Sequence, residues 1–237
     1  MKASCVCITY GRKELLEESI QMFLNQDFEG DSEMIIVNDE EGVNYEIESN
    51  IDNKVIRIYN VPKRFSSIGS KRTYATNLAA GDIIMPWDDD DILLPNKIST
   101  IMNHIKDYDY WQCDTAYLET PNKVRQIHTP GHCAAGFRLD TFIRLGGHYI
   151  DQYYDEDRDL KDRFIKNAIV KVEPVAKEEI FFVCRRSPEA LYQTTRIPIE
   201  KRHSSIEEKS RKQRIKGNVK LKPSLKRDYV SIYRNIA

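Results

Sequence analysis

Long apolar runs are missing from this sequence: no stretch reaches the roughly 18 residues that a membrane-spanning helix requires. The opening Met1-Lys2-Ala3-Ser4-Cys5-Val6-Cys7 leads straight into a strand-like run, without the extended apolar region of a secretory signal. A soluble, cytoplasmic chain is therefore expected. Cysteine is scarce and irregularly placed. The five residues Cys5, Cys7, Cys113, Cys133 and Cys184 are odd in number and form no C-x-x-C pair, which argues against a disulfide framework and a structural zinc site. Cys5 and Cys7 share one face of a predicted strand and read as small core hydrophobes. Internal repeats are absent, as are RNA-recognition, zinc-finger and helix-turn-helix signatures.

What is present suffices for a core: 41 % of the 237 residues are hydrophobic and 31 % are charged. The net charge of −1 conceals an asymmetry. Residues 196–237 hold 13 Lys and Arg against 4 Asp and Glu, a balance of +9, so the remainder stands at −10. An acidic body with a basic C-terminal segment suits a polyanionic partner, and equally a solvated helical tail.

Residues 3–9 read as a buried strand ended by Tyr10-Gly11, and residues 13–25 as an amphipathic helix through Leu15, Leu16, Ile20, Phe23 and Leu24. Strands are predicted at 34–37, 55–59 and 83–87, a helix at 70–80 closed by Gly81, and another running on from Pro95 through Ile105. Farther on, strands are expected at 110–116, 124–127 and 180–184, helices at 141–145 and 157–167, and a loop at 131–136. Alternation of strand and helix predicts an α/β fold with parallel strands, whose ligands gather beyond the carboxyl ends of the strands. Thr9, Asp39 and the aspartates after Trp87 all fall at such ends.

Asp88-Asp89-Asp90-Asp91 is the strongest chemical signal. Four adjacent carboxylates at the end of an apolar strand repel one another, and a hard divalent cation, Mg²⁺ or Mn²⁺, offsets that repulsion while leaving positions for substrate phosphates. The plainer reading is an acidic turn capping the next helix, with Asp91 as the cap. A haloacid-dehalogenase-type Asp-x-Asp fits poorly, since it follows the first strand of its fold and this one follows a late strand. Gly69-Ser70-Lys71-Arg72 opens a predicted helix and is suited to an anion such as a diphosphate, or is a solvated basic turn. Tyr154-Asp155-Glu156-Asp157-Arg158-Asp159-Leu160 opens another; its acids either complement the helix dipole or supply a general base.

Taken in order, these segments resemble the inverting, GT-A-fold glycosyltransferases of family 2 over roughly residues 4–186. Cys7-Ile8-Thr9-Tyr10-Gly11-Arg12 resembles the P-T-Y-N-R segment beside the nucleotide base, and Ile35-Ile36-Val37-Asn38-Asp39 the I-V-V-D-D strand end. Gly69-Ser70-Lys71-Arg72-Thr73 is similar to G-x-x-R-N. The run Ala79-Ala80-Gly81-Asp82-Ile83-Ile84-Met85-Pro86-Trp87 followed by the four aspartates is similar to A-x-G-E-Y-I-x-F-L-D-D-D-D. Leu145-Gly146-Gly147 with Glu156-Asp157-Arg158-Asp159-Leu160 resembles the G-G…E-D-x-D-L region. Asn38, Gly11 and Thr73 depart from the pattern, and Arg185-Arg186-Ser187 lacks the His often found there.

The resemblance implies a GT-A (Rossmann-like) mixed, mainly parallel sheet over residues 1–195. Its nucleotide-sugar half would span about 1–107 and its acceptor half about 108–195, with 196–237 a basic extension. It implies Asp90 as main metal ligand with Asp88, which also lies near the ribose, and Asp157 as the base. Thr9, Tyr10, Arg12, Asp39, Lys71, Arg72, Asp88 and Asp89 would line the nucleotide-sugar donor, UDP-linked by family habit, with Mn²⁺ or Mg²⁺. The acceptor would be a glycan, a lipid-linked glycan, a protein, or, as in phage-type enzymes, a hydroxymethylated DNA base. The basic segment would then touch an anionic membrane surface or DNA in an infected host cell. Two other classes compete. Sugar nucleotidyltransferases carry a Gly-rich loop after the first strand, where Thr9-Tyr10-Gly11-Arg12 has one glycine. A non-catalytic nucleic-acid-binding protein would act through an amphipathic basic helix at residues 201–227.

Overall fold

The computed structural model describes residues 1–47, 55–128, 130–186 and 215–234. Its first half runs β1 (Ala3–Thr9), α1 (Lys13–Leu24), β2 (Ser32–Asn38), β3 (Val43–Ile47), β4 (Ile56–Asn60), α2 (Ile68–Asn77), β5 (Ile83–Pro86), β6 (Ile92–Leu93) and α3 (Lys97–His104). The second half continues with β7 (Tyr110–Cys113), β8 (Thr115–Thr120), β9 (Lys123–His128), β10 (Ala135–Arg138), α4 (Leu139–Arg144), α5 (Glu156–Asn167), β11 (Val170–Glu173) and β12 (Phe182–Arg185). Near the C-terminus come β13 (Gly217–Leu221) and α6 (Tyr229–Arg234).

Seven strands form the central sheet in the order β11-β7-β10-β5-β1-β2-β4. All share one direction except β10, which is antiparallel to both neighbours. The mixed, mainly parallel α/β sheet is thus observed. Its central strands are buried on both faces, as parallel strands with covering helices must be. Cys5, Cys7, Met34, Ile36 and Met85 pack on one side, and Val6, Ile35, Val37 and Ile84 on the other. All five cysteines are free and buried. The register sets the ends of β1, β2 and β5 side by side: Thr9 lies opposite Asn38, Val6 opposite Pro86, and Trp87 N–H donates to the Val6 carbonyl at 2.9 Å.

A second sheet, β6-β12-β8-β9, closes the aspartate side, and β13 pairs in parallel with β3. The expected strand at 110–116 is two strands, turning at Asp114, and part of the expected loop at 131–136 is strand β10. Of the helix expected over 201–227, residues 201–214 lie outside the described residues, while 217–221 is a strand instead. Val219 and Leu221 alternate with Asn218 and Lys220, a period of two that buries the apolar pair against β3. No helix among the described residues is long and apolar enough to cross a membrane.

Candidate active site

The crevice beyond β1, β2 and β5 is built from the strand ends outward. Chain turning after β1 needs a left-handed residue, and Gly11 supplies it at φ 63°. Asparagine also tolerates that conformation, so glycine in place of the family's Asn keeps the turn. From this turn Arg12 reaches across the crevice: Nη1 donates to Asp90 Oδ2 at 2.8 Å and Nη2 pairs with Asp89. Thr9 Oγ1 donates to Asp89 Oδ2 at 2.6 Å. Tyr10 carries the Arg64 guanidinium over its ring, 4.3 Å from the centroid.

At the end of β2, Asn38 does what the replaced aspartate could not. Its Nδ2 donates to the Val43 carbonyl at 2.9 Å and to Asn60 Oδ1 at 3.1 Å, tying β2 to β3 and β4. Asp39 accepts from the Phe65 N–H at 3.0 Å and pairs with Lys71, whose Nζ also donates to the Thr9 carbonyl at 2.6 Å. Lys71 is buried, and burial pulls its ammonium pKa down despite Asp39. In this structure it braces the strand ends from beneath.

Helix α2 begins at a capping box, Ser67 with Ser70. Gly69 is required at its first turn, because a Cβ there would stand 1.8 Å from the Ile150 carbonyl oxygen. That close approach brings the segment preceding α5 onto α2. Thr73, where the family has Asn, fixes the same contact by accepting from Tyr149 N–H at 2.9 Å. Arg72 then bridges the two regions: Nη2 donates to Asp88 Oδ1 at 3.0 Å and Nε to Glu156 Oε1 at 3.1 Å. Burial is the largest influence on Asp88 and opposes its ionisation, but Arg72, the Cys133 hydrogen bond and His132 together outweigh it and hold the carboxyl below the usual range. For Glu156 burial wins over Arg72, and its pKa rises.

Asp157 follows in the first turn of α5, half-buried, after Asp155 at φ 60°. The charges acting on buried His132 include Arg72, Asp157, Asp88 and Lys97. His132 Nε2 lies 2.9 Å from the Tyr149 hydroxyl.

The four aspartates divide. Asp88 turns to Arg72, Asp89 and Asp90 to Arg12, and Asp91 accepts from the Arg185 N–H at 3.2 Å. Burial, with repulsion from Asp90, pushes Asp89 up to about 6; the same causes raise Asp91 well above the carboxylate range. Asp88, Asp91 and Cys133 each bring one ligand atom within 4.8 Å of the others. Burial raises the Cys133 thiol, so the hard donors of this group are the two carboxylates, as an Mg²⁺ or Mn²⁺ site requires. Within the run it is Asp88 and Asp91 that offer a donor set suited to a divalent cation, whereas Asp90, the expected main ligand, is paired with Arg12. Lys97 lies behind it, fully buried, donating to the Pro86 carbonyl and stacked 4.6 Å from the Trp87 ring centroid.

With the geometry in place, comparison with known proteins is decisive at family level. Residues 4–175 match the profile of Glycosyl transferase family 2. This chain belongs to that family. Solved structures share its fold at low sequence identity. S. aureus TarS 1-349, solved in complex with UDP-GlcNAc, superposes with a TM-score of 0.61 at 14 % identity, covering 79 % of this chain and 59 % of that one. The mannosyltransferase PcManGT from Pyrobaculum calidifontis, solved with GDP-Man and Mn²⁺, gives 0.55 at 14 % identity, covering 86 % and 59 %. The chain thus spans about three-fifths of each of these neighbours. No curated protein sequence matches it. The GT-A fold is shared.

Three residues of this crevice are not singled out by the sequence: His132, Cys133 and Tyr149. His132 and Cys133 lay in what read as a small-residue loop, and Tyr149 in a connector; Gly131 and Gly136 flanking a His-Cys pair were the available signal. Glu156 belongs to the acidic segment expected to supply a general base, but its pairing with Arg72 is not visible in the sequence.

Proposed function

We propose that this family 2 protein is a metal-dependent, inverting glycosyltransferase that moves a sugar from a nucleoside-diphosphate sugar to an acceptor hydroxyl. The observation that carries the reading is the bridge made by Arg72, which joins the aspartate run through Asp88 to the helix bearing Asp157 through Glu156. Donor-binding and proton-accepting groups thereby face one crevice. Neighbours solved with UDP-GlcNAc and with GDP-Man and Mn²⁺ support a nucleotide-sugar donor and a metal.

Thr9, Tyr10 and Asp39 would border the nucleoside, with Lys71 fixing Asp39 from below. Asp88 and Asp90 would hold the cation, Asp91 being the carboxylate whose geometry offers an alternative to Asp90. The bound metal supplies charge neutralisation to the departing diphosphate. Arg12 and Arg72 stand where they could shift from carboxylate to phosphate oxygens. Asp157 would accept the acceptor's hydroxyl proton as that oxygen bonds the anomeric carbon and the bond to the diphosphate breaks on the opposite face.

Glycans and lipid-linked glycans are the favoured acceptors. Lys216, Lys220 and Lys222, exposed along β13, favour a second reading in which the acceptor is hydroxymethylated DNA. The test is a nucleotide-sugar panel with Mn²⁺, run against glycan and hydroxymethyl-DNA acceptors in parallel. Acceptor-dependent release of nucleoside diphosphate is expected with one donor. Its absence throughout, together with undiminished metal-dependent UDP affinity in Asp90→Ala and Asp88→Asn, would overturn the reading.

A further inference from the structure

Three of the four aspartates are held by side chains from within residues 4–175: Asp88 by Arg72, and Asp89 and Asp90 by Arg12. Asp91 is held differently. Its Oδ1 accepts the backbone N–H of Arg185, the last residue of β12, at 3.2 Å. The Arg185 side chain runs back into the interior, where Nη1 donates to Glu18 Oε2 at 2.7 Å. Glu18 is 1 % exposed, in the middle of α1, and its other oxygen is satisfied entirely by the C-terminal segment. Oε1 accepts from the Tyr229 hydroxyl and from the Lys226 N–H at 3.1 Å. One helical position earlier, Glu17 accepts the Lys222 N–H at 2.7 Å. Tyr229 lies 5.6 Å below the Arg185 guanidinium and stacks on Tyr233, which is itself stacked on Tyr117 of β8.

We infer that the C-terminal segment, through Tyr229, Glu18 and Arg185, is a positioning element that fixes the Asp91 end of the aspartate run. A buried carboxylate and guanidinium demand complete partnering, since each missing hydrogen bond leaves a desolvated charge. Residues 222–229 provide that partnering for Glu18, and the Tyr229 hydroxyl also lies 3.5 Å from Arg185 Nη2, while Arg185 Nε is buried without a hydrogen-bond partner. Arg185 is thereby immobilised, and its N–H is aimed at Asp91. Helix α1 transmits the constraint at two points, with Arg12 at its start on Asp89 and Asp90 and Glu18 in its middle on Arg185. The loop that would hold the metal is gripped by α1 directly and by the C-terminal segment at one remove. Outer-layer partners of this kind orient metal ligands and tune affinity without touching the metal. Tyr229 is accordingly a positioning residue, not a catalytic one.

The test uses the full chain with Tyr229→Phe, which keeps the ring stacking and removes only the hydroxyl. Hydrogen exchange without metal is the direct readout. Peptides covering residues 88–94 should exchange severalfold faster than in the wild type, while β7 and β11 stay unchanged. Faster exchange confined to residues 215–234 would overturn the inference. A second variant, Glu18→Gln, breaks the Arg185 pair and should loosen the same peptides. The second readout, Mn²⁺ affinity, rests on the function proposed above: a weakening of about tenfold is expected in Tyr229→Phe, the lower scale for outer-layer metal partners. Unchanged affinity in a variant whose 88–94 peptides also exchange normally rejects the positioning role. Were wild-type protein to bind no Mn²⁺, the metal reading would fall, and the exchange comparison would still decide this one.

Discussion

The two ends of the aspartate run are built from the same materials to opposite effect. At the Asp88 end, a guanidinium bridges two carboxylates, Asp88 and Glu156, and the Asp88 side chain keeps 22 % of its surface exposed. At the Asp91 end, a guanidinium pairs with Glu18, and Asp91, Glu18 and Tyr229 are all at 3 % exposure or below. One ion pair borders a crevice, where the proposed function would have it exchange partners with a phosphate. The other is sealed by β13 and α6 and can only hold. Residue type does not separate a functional arginine–carboxylate pair from a structural one here; access does. Perturbing the first end should therefore change chemistry at nearly constant stability, and perturbing the second should change stability, reaching the chemistry only through the weaker metal affinity inferred above.

The largest effect expected from the open end comes from Asp157→Asn. If Asp157 takes the acceptor proton, transfer should fall by roughly 10²- to 10⁴-fold, the usual span of general-base catalysis, with donor affinity retained. Calorimetric donor titration beside a turnover assay separates the two. Near-normal turnover would move the base to another carboxylate at this end, Glu156 or Asp155, and the contrast between the two ends would lose its chemical half.

At the sealed end, Leu221→Ala removes a side chain with 0 % exposure from the strand that pairs with β3. A loss of about 2–5 kcal/mol is expected from such a truncation. Denaturant unfolding measures it. At saturating Mn²⁺, transfer per folded molecule should remain close to wild type at temperatures where the variant is native. Unchanged stability would mean that β13 adds nothing to the fold, and the idea of a sealed end would fail.

Legibility in the sequence follows the same division. The crevice was readable because parallel strands announce their ends: an apolar run stops and polar residues begin, as at Thr9, Asp39 and Asp88. The family resemblance then assigned those positions an order. The Asp91 end was not readable, because its contacts join residues 167 and 211 positions apart, Glu18 with Arg185 and Glu18 with Tyr229. Glu17 and Glu18 fall outside the apolar stripe of α1, and a second layer of chain turns that face inward. Strand β13 was hidden for a different reason. With lysines at 216, 220 and 222, its two apolar residues Val219 and Leu221 are too few to display a period. His132 and Tyr149 sit between these cases: each lies in an irregular segment, and only the close packing at Gly69 brings Tyr149 to α2.

His132 gives the smallest effect and the finest test of the contrast, because it belongs to the open end yet is buried. Burial first, and then the Arg72 guanidinium, push its imidazole down to about 4, against the opposing pull of Asp157 and Asp88; Lys97 acts in the same sense as Arg72. In the unfolded chain the ring titrates near about 6.5. Between these two values the unfolded state binds a proton that the folded state refuses, so acidification favours unfolding. The contribution is constant above about pH 6.5 and is lost as pH falls toward about 4, with a slope approaching about 1.4 kcal/mol per pH unit. His132→Gln keeps a polar group beside the Tyr149 hydroxyl, 2.9 Å from the native ring nitrogen, and cannot take up the proton. Carboxylates elsewhere also titrate in this range, so the informative quantity is the difference between the two stability curves. That difference should grow in favour of the variant from pH 6.5 downward and level off near pH 4. Parallel curves would show that His132 is protonated in the folded protein as readily as in the unfolded one, and that the open end admits charge even at its buried floor.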